Sequence, residues 1–456
     1  MQFVNLGQIE TLTGSPLDDS LTGDGLANRI TGLGGNDYLA GGGGNDVYVF
    51  DADANIGSDT VYETAGGGID TLDFSPTTTV GVAVDLSQSA IQTVNAFHSL
   101  TVAGGDFETL VGGSKNDTLT GNDLANTLIG GPGNDLLTGR GGNDAYAFNA
   151  GVALGSDTVV ESSLDGTDTL DFSTTTLATA GLSVNLGVST PQVVNTNLTL
   201  TLTSSGEMEG IIGGSGNDTL TGNDGVNFLT GGPGNDLLAG GLGDDVYLFK
   251  ADVALGIDTL TELPGGGVDL LDLSAGSIAI SVDLSLTAAQ VVNTRLTLNL
   301  SSGSDFEMIT GTSGADVIKG NAADNVIVGG AGNDTLSGLD GRDLILGGNG
   351  IDSLTGGNGD DILIAGLASL FNETTRVLDR AALLAIMAEW TQSTDYASRI
   401  TNLKLGGGNN GAYFLSCLTD GTAKDTLTGG ADADWFWAFG VDVITDRNTP
   451  VAETLN

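Results

Sequence analysis

From Gly14 onward an Asp or Asn recurs every nine residues, and a large apolar residue follows two places later. The first run carries Asp19, Asn28, Asp37 and Asp46, and the second Asp117, Asn126, Asp135 and Asp144. The third carries Asp218, Asn227, Asp236 and Asp245, and a run of six carries Asp316, Asn325, Asp334, Asp343, Asp352 and Asp361. Asp425 and Asp434 stand in two more such units near the C-terminus. Carboxylate, amide and carbonyl oxygens are the hard donors that calcium takes in sets of six to eight. Other metal chemistry is not available: one histidine, His98, and one cysteine, Cys417, build neither a His- or Cys-based zinc centre nor a disulfide framework. Of the 58 acids 47 are Asp, the residue that suits turns and caps better than helix interiors, so the carboxylates belong in turns.

The elements that must hold these oxygens follow from the rest of the unit, which reads Gly-Gly-x-Gly-x-Asp-x-apolar-x in Gly130–Thr138 and Gly231–Ala239. Its first place is Gly32, Gly41, Gly130, Gly139, Gly231, Gly240, Gly329, Gly338, Gly347 and Gly356. Its third or fourth is Gly34, Gly43, Gly133, Gly141, Gly234, Gly243, Gly332, Gly350 and Gly359. Six residues of Gly and Asx form a turn, and three residues with one inward apolar side chain (Leu21, Ile30, Leu39, Tyr48 in the first run) form a very short strand. Two units make one coil, so units n and n+2 stack their turns at about 4.8 Å. Stacked carboxylates repel, and a cation between them relieves the repulsion. Asx-Gly sequences also make turns without metal, but Ser and Thr, which do the same, never take the sixth place in the four blocks.

This pattern resembles the RTX family, the hemolysin-type calcium-binding repeats of proteins secreted by Gram-negative bacteria, over eighteen units in register. The resemblance implies a parallel β-roll whose glycine-rich turns hold calcium, with the Asp, Asn and Gly residues named above as ligands. If each n, n+2 pair takes one ion, roughly ten bind. The second unit of every block carries Asn (Asn28, Asn126, Asn227, Asn325), so the Asp/Asp row is expected to bind more tightly than the Asn/Asp row.

The blocks themselves repeat, with Tyr48, Tyr146 and Tyr247 in equivalent places. The chain divides into block 1 (1–50), block 2 (112–148), block 3 (213–249) and block 4 (311–366), with β segments at 51–111, 149–212 and 250–310. Runs such as Leu182-Ser-Val-Asn-Leu186 alternate with the period of strands. A helical insertion or cap occupies 367–419, and 420–456 holds the last two units and a tail. The expected fold is all-β: an elongated parallel β-roll with interposed strand segments and one small helical insertion. Asp59, Asp70 and Asp73 and their counterparts read as solvated turn residues. Asn372–Trp390 is the only convincing helix, capped by Asn372 and bearing Arg376 and Arg380, and it is expected to seal the end of the roll. Trp435-Phe-Trp437 is expected to close the last coil, and Cys417 to be buried.

The formal charge of −45 excludes nucleic acid and anionic lipid as direct partners and favours cations. The longest apolar run, Ala381–Ala388, is too short for the 18 to 20 or so residues of a membrane span, and Met1–Gly7 lacks the pattern of a cleavable leader. Neither His-Glu-x-x-His nor Gly-x-Ser-x-Gly occurs, and aromatics for sugar stacking are scarce, so an enzyme is not expected. Two readings remain. One is a secreted or cell-surface protein, structural or adhesive, that rigidifies on extracellular calcium and takes self-association or surface and matrix components as partners. The other is the secretion and folding section of a larger exported adhesin or enzyme. Val441–Asn456 is a place for an uncleaved export signal of the kind the family uses.

Overall fold

A strand of three residues buries one side chain and is stable only as a rung among others. The structure, a computed structural model, builds such ladders and describes all residues except 1, 4–9, 65, 105–106, 162–165, 178–180, 205, 369–370, 373–376, 406–407, 414, 416, 419–422, 446–453 and 456. It divides into two units, Met1–Asp224 and Gly225–Asn456.

In the first unit one parallel sheet runs Thr11–Thr13, Arg29–Thr31, Val47–Val49, Thr71–Asp73, Thr109–Val111, Thr127–Ile129, Ala145–Ala147, Thr169–Asp171 and Gly210–Ile212. The strands of the segments between blocks are therefore rungs of the same ladder. The opposite face is not continuous. Ser20–Thr22, Tyr38–Ala40, Gly57–Tyr62 and His98–Ala103 form one sheet, which the antiparallel strand Gln92–Asn95 ends. Ala83–Asp85 starts the next, through Thr118–Thr120, Leu136–Thr138, Gly155–Val160 and Leu198–Leu202, ended by the antiparallel Gln192–Val193. The central residue of each strand, such as Ile30, Leu72, Leu110 and Leu128, is fully buried between the faces.

The second unit repeats the plan. Its long sheet runs Phe228–Thr230, Val246–Leu248, Leu270–Asp272, Met308–Thr310, Val326–Ala331, Leu344–Asn349, Ile362–Ile364 and Trp435–Trp437, all parallel. The step from Ile362–Ile364 to Trp435–Trp437 passes over the insertion, so the last units stack directly on block 4.

The insertion differs from expectation in three ways. Its first helix, α1, is Arg380–Trp390, capped by Asp379, whose carboxylate accepts from Ala382 N at 3.0 Å. Asn372 is not the cap, because Phe371–Asn372 pairs antiparallel with Val377–Leu378. A second helix, α2 (Tyr396–Leu405), follows; only Arg399, Ile400 and Leu403 of it are buried, too narrow a stripe to stand out in the sequence. The helices also lie on the flank of the roll and not on its end. Leu383, Ile386 and Trp390 pack with Val326, Leu344, Leu346, Ile362, Ile364 and Trp435, which are outward-facing strand positions. These strands are apolar on both faces, as in Val326-Ile-Val328, Leu344-Ile-Leu346 and Ile362-Leu-Ile364. Trp435 is buried against Trp390 with ring centroids 6.4 Å apart, and Phe436 fills the interior. Arg376 and the side chain of Cys417 lie outside the described residues. No helix among the described residues is long and apolar enough to cross a membrane.

Candidate metal centre

Outside the second unit of each block, where Asn stands, the turn ends in an Asp whose carboxylate folds back over the first glycine of its own unit. A β-carbon on Gly32, Gly41, Gly130, Gly139, Gly231, Gly240, Gly329, Gly338, Gly347 or Gly356 would overlap Oδ2 of the Asp five places on. The later glycines have a different neighbour: a β-carbon on Gly332, Gly350 or Gly359 would overlap the carbonyl oxygen of Gly314, Gly332 or Gly341 one coil earlier, and their φ of 131°, 143° and 126° is unstrained only for glycine.

The two oxygens of these carboxylates have different fates. Oδ1 accepts the backbone N–H of the counterpart one coil earlier: Asp19 N to Asp37 at 2.8 Å, Asp117 N to Asp135 at 2.9 Å, Asn126 N to Asp144 at 2.7 Å, Asp334 N to Asp352 at 2.8 Å and Asp343 N to Asp361 at 2.9 Å. Oδ2 of Asp37, Asp46, Asp135, Asp144, Asp343 and Asp361 is buried and accepts no hydrogen bond. A buried ionised oxygen without a partner is strongly unfavourable. Burial accordingly pushes Asp135 and Asp144 up to about 7, Asp343 to about 8 and Asp361 to about 9. Backbone carbonyls converge on the same places: a β-carbon on Gly329 would meet Asp334 Oδ2 at 2.5 Å and Gly347 O at 2.6 Å. Buried carboxylate oxygens and backbone carbonyls brought together without nitrogen or sulfur fit calcium.

The first member of each row does something else. Asp19 accepts from Ser15 N at 2.6 Å, Asp117 from Gly113 N at 2.6 Å, Asp218 from Gly214 N at 2.8 Å and Asp316 from Thr312 N at 2.7 Å. Asn28, Asn126 and Asn325 accept likewise from Asp24, Asn122 and Asn321 N at 2.8, 2.7 and 2.7 Å. These side chains close their own turns. Asn227 and Asp236 pass the ladder on, donating their N–H to Asp245 and Asp258 Oδ1 at 2.8 and 2.9 Å.

The ladder also runs beyond the nonapeptides. Asp37 N donates to Asp59 Oδ1, Asp46 N to Asp70 Oδ1 and Asp70 N to Glu108 Oε2, each at 2.8 Å. The same steps recur from Asp135 to Asp157, from Asp144 through Asp168 to Glu209, and from Asp245 through Asp269 to Glu307. Asp59, Asp70, Asp157, Asp168, Asp258 and Asp269 are at most 4% exposed, which corrects the reading of them as solvated. They are buried because each occupies the ladder place of a missing nonapeptide Asp. Asp73 is the exception: it lies half-buried beside Arg29, 3.3 Å away. The signal was present in constant offsets of 22 and 24 residues from the last two Asp of a block, which a search at nine residues passes over. Glu108, Glu209 and Glu307 carried no signal of that kind. The ladder reaches the last units with Asp352 N on Asp425 Oδ1 at 2.7 Å and Asp361 N on Asp434 Oδ1 at 3.0 Å, and Asp425 N donates onward to Asp442 Oδ1 at 3.1 Å.

Comparison with known families agrees with this geometry. A family model described as RTX calcium-binding nonapeptide repeat (4 copies) matches residues 13–48, 22–57, 102–123, 120–152, 212–247, 301–336, 310–345, 337–368 and 418–444. The matches leave out most of the segments that hold Asp59, Asp70 and their counterparts. No curated protein sequence matches the chain.

Proposed function

Because the chain belongs to the RTX calcium-binding nonapeptide repeat proteins, we propose that it is a secreted structural or adhesive protein whose roll forms and stiffens on meeting extracellular calcium. The observation that carries this reading is the set of buried carboxylate oxygens, among them those of Asp37, Asp135, Asp343 and Asp361, that accept no hydrogen bond. Stacked turns with such oxygens are unfavourable until a cation enters, and the chain as a whole bears a charge of −45. A ligand that binds only the folded state stabilises it by about 2.7 kcal/mol per site at a hundredfold excess over Kd. With roughly ten coupled sites, folding becomes a steep function of calcium. The step from low cytoplasmic to high external calcium then switches the chain from a flexible polyanion, suited to export, to a rigid roll. Its role is non-catalytic, and its partners are calcium and components of a surface layer, fibre or matrix, including other copies of the chain.

Circular dichroism of the full chain in excess chelator and in millimolar calcium tests this. The expected result is a coil-like spectrum that becomes β-rich with calcium. A spectrum equally β-rich in chelator would refute the proposal, as would recovery of folded, calcium-loaded protein from the host cytoplasm.

A further inference from the structure

At the end of each of the first three blocks the inward strand residue is Tyr in place of Leu or Ile, and its hydroxyl reaches the carboxylate ladder. Tyr48, Tyr146 and Tyr247 donate short hydrogen bonds to Oε1 of Glu63, Glu161 and Glu262, each 15 residues later. None of these glutamates is in a nonapeptide unit. Burial, reinforced by the adjacent glutamate, holds the phenols of Tyr48 and Tyr247 well above their ordinary range, so they stay protonated donors. Tyr247 is fixed in turn by Gly240 N, which donates to its hydroxyl at 2.7 Å.

The hydroxyl places the glutamate against two aspartates. In Asp46–Glu63–Asp70, Asp144–Glu161–Asp168 and Asp245–Glu262–Asp269, one oxygen of each carboxylate lies within 4.8 Å of the other two. Asp46, Glu63 and Asp70 are 0%, 1% and 0% exposed. Asp46 Oδ2 and Glu63 Oε2 accept no hydrogen bond, and the same holds for Asp245 Oδ2 and Glu262 Oε2. These groups face one space: a β-carbon on Gly240 would meet Asp245 Oδ2 and Glu262 Oε1 together, and one on Gly139 would meet Asp144 Oδ2, Glu161 Oε1 and the Tyr146 hydroxyl.

We propose that each Asp–Glu–Asp triad, oriented by its tyrosine, is a second class of calcium site that clamps the end of a block to the segment after it. Three carboxylates converging out of water require a compensating charge, and a divalent cation taking oxygen ligands supplies it. Calcium suits the set better than magnesium, because buried carboxylates and a neighbouring hydroxyl leave little room for the waters that magnesium retains. The inference rests on the reading of the chain as a calcium-binding roll, but its glutamates and second aspartates lie outside the repeat. The tyrosine is a positioning residue: it holds Glu63, Glu161 and Glu262 and does not itself bind the ion.

The test uses the full chain and two triple variants, E63Q/E161Q/E262Q and Y48F/Y146F/Y247F. Ions are counted by equilibrium dialysis with radiocalcium. Terbium, a luminescent stand-in for calcium, is excited through tyrosine, with the emission due to tryptophan excitation subtracted. The glutamine variant is expected to bind three fewer ions while keeping the β-rich spectrum in calcium. The phenylalanine variant, which keeps all nine carboxylates, is expected to lose at least half of the tyrosine-sensitised terbium emission. An unchanged ion count in a folded glutamine variant overturns the proposal. If that variant does not fold, unchanged terbium emission from the phenylalanine variant overturns it. A wild-type chain that binds no calcium overturns both this inference and the calcium reading of the roll, whereas loss or retention of three ions bears on the triads alone.

Discussion

The backbone N–H of Asp352 donates to Asp425 Oδ1 at 2.7 Å although 73 residues separate them. The same ladder step elsewhere in block 4 spans 18 residues, as from Asp334 to Asp352. Strand Thr426–Ala431 accordingly pairs in register with Ser353–Asn358, and α1 and α2 are looped out between two successive rungs.

Replacing Asp425 by Ala removes the acceptor of a buried amide and is expected to cost about 1–3 kcal/mol. D425N keeps an oxygen in that place and is expected to cost less. Denaturant titration in saturating calcium measures both, and equal losses would contradict the ladder as the link across the insertion.

Asp135 and Asn126 separate the two jobs of the sixth place. Oδ2 of Asp135 accepts no hydrogen bond, while Oδ1 of Asn126 closes its own turn on Asn122 N at 2.7 Å. D135A is expected to lower the number of bound calcium ions, and N126A to lower stability by about 0.5–2 kcal/mol, the range for a lost cap, at an unchanged count. Equal loss of ions in dialysis would refute the distinction.

Without calcium, acid is expected to favour the fold. Burial pushes Asp135 and Asp157 up to about 7 and Asp258 to about 8, above the value of about 4 in an unfolded chain. Between these values the folded state holds more protons, so the contribution is complete below about pH 4 and is lost as pH rises through 7 to 8 or so. In chelator the β signal should be larger near pH 5 than near pH 8 or so, and in calcium the order should reverse as protons displace the ion. A chelated chain indifferent to pH over that interval would count against these carboxylates being buried.

His98 is expected to be a stability defect. Its ring stacks on Phe50 at 5.1 Å, Nδ1 lies 3.8 Å from Asp59 Oδ2 without a well-formed hydrogen bond at either nitrogen, and burial, opposed by the Gly57 backbone, pushes it down to about 4, so it is neutral. It begins a strand opposite Gly57, where the second and third modules place Leu198 and Leu296 opposite Gly155 and Gly256. H98L is expected to raise stability by about 1–3 kcal/mol at neutral pH, the cost of an unsatisfied buried polar group. A loss of stability on thermal unfolding in calcium would assign the imidazole a role of its own.

A period of nine was enough to read the short strands, their parallel stacking two units apart, and the Asp and Gly residues that make the turns. Each unit is one turn and one strand, so local sequence dictates local structure, and identical units can stack only on one another. What the period could not carry was any contact of another length. Asp59, Asp70 and Glu108 join the ladder through rungs of 22, 24 and 38 residues, and nothing local in Asp70-Thr-Leu-Asp73 tells which aspartate is buried and which faces Arg29. Glu63 comes to Asp46 and Asp70 only because the coil returns the chain there and Tyr48 spans the interior to hold it. The apolar flank of Val326, Leu344 and Ile362 was visible as trios of apolar residues, but that α1 covers it, in place of the end of the roll, was decided by tertiary packing. Burial is a property of the assembled coil, and it takes the carboxylate of an aspartate that would be an ordinary turn former in a peptide out of water.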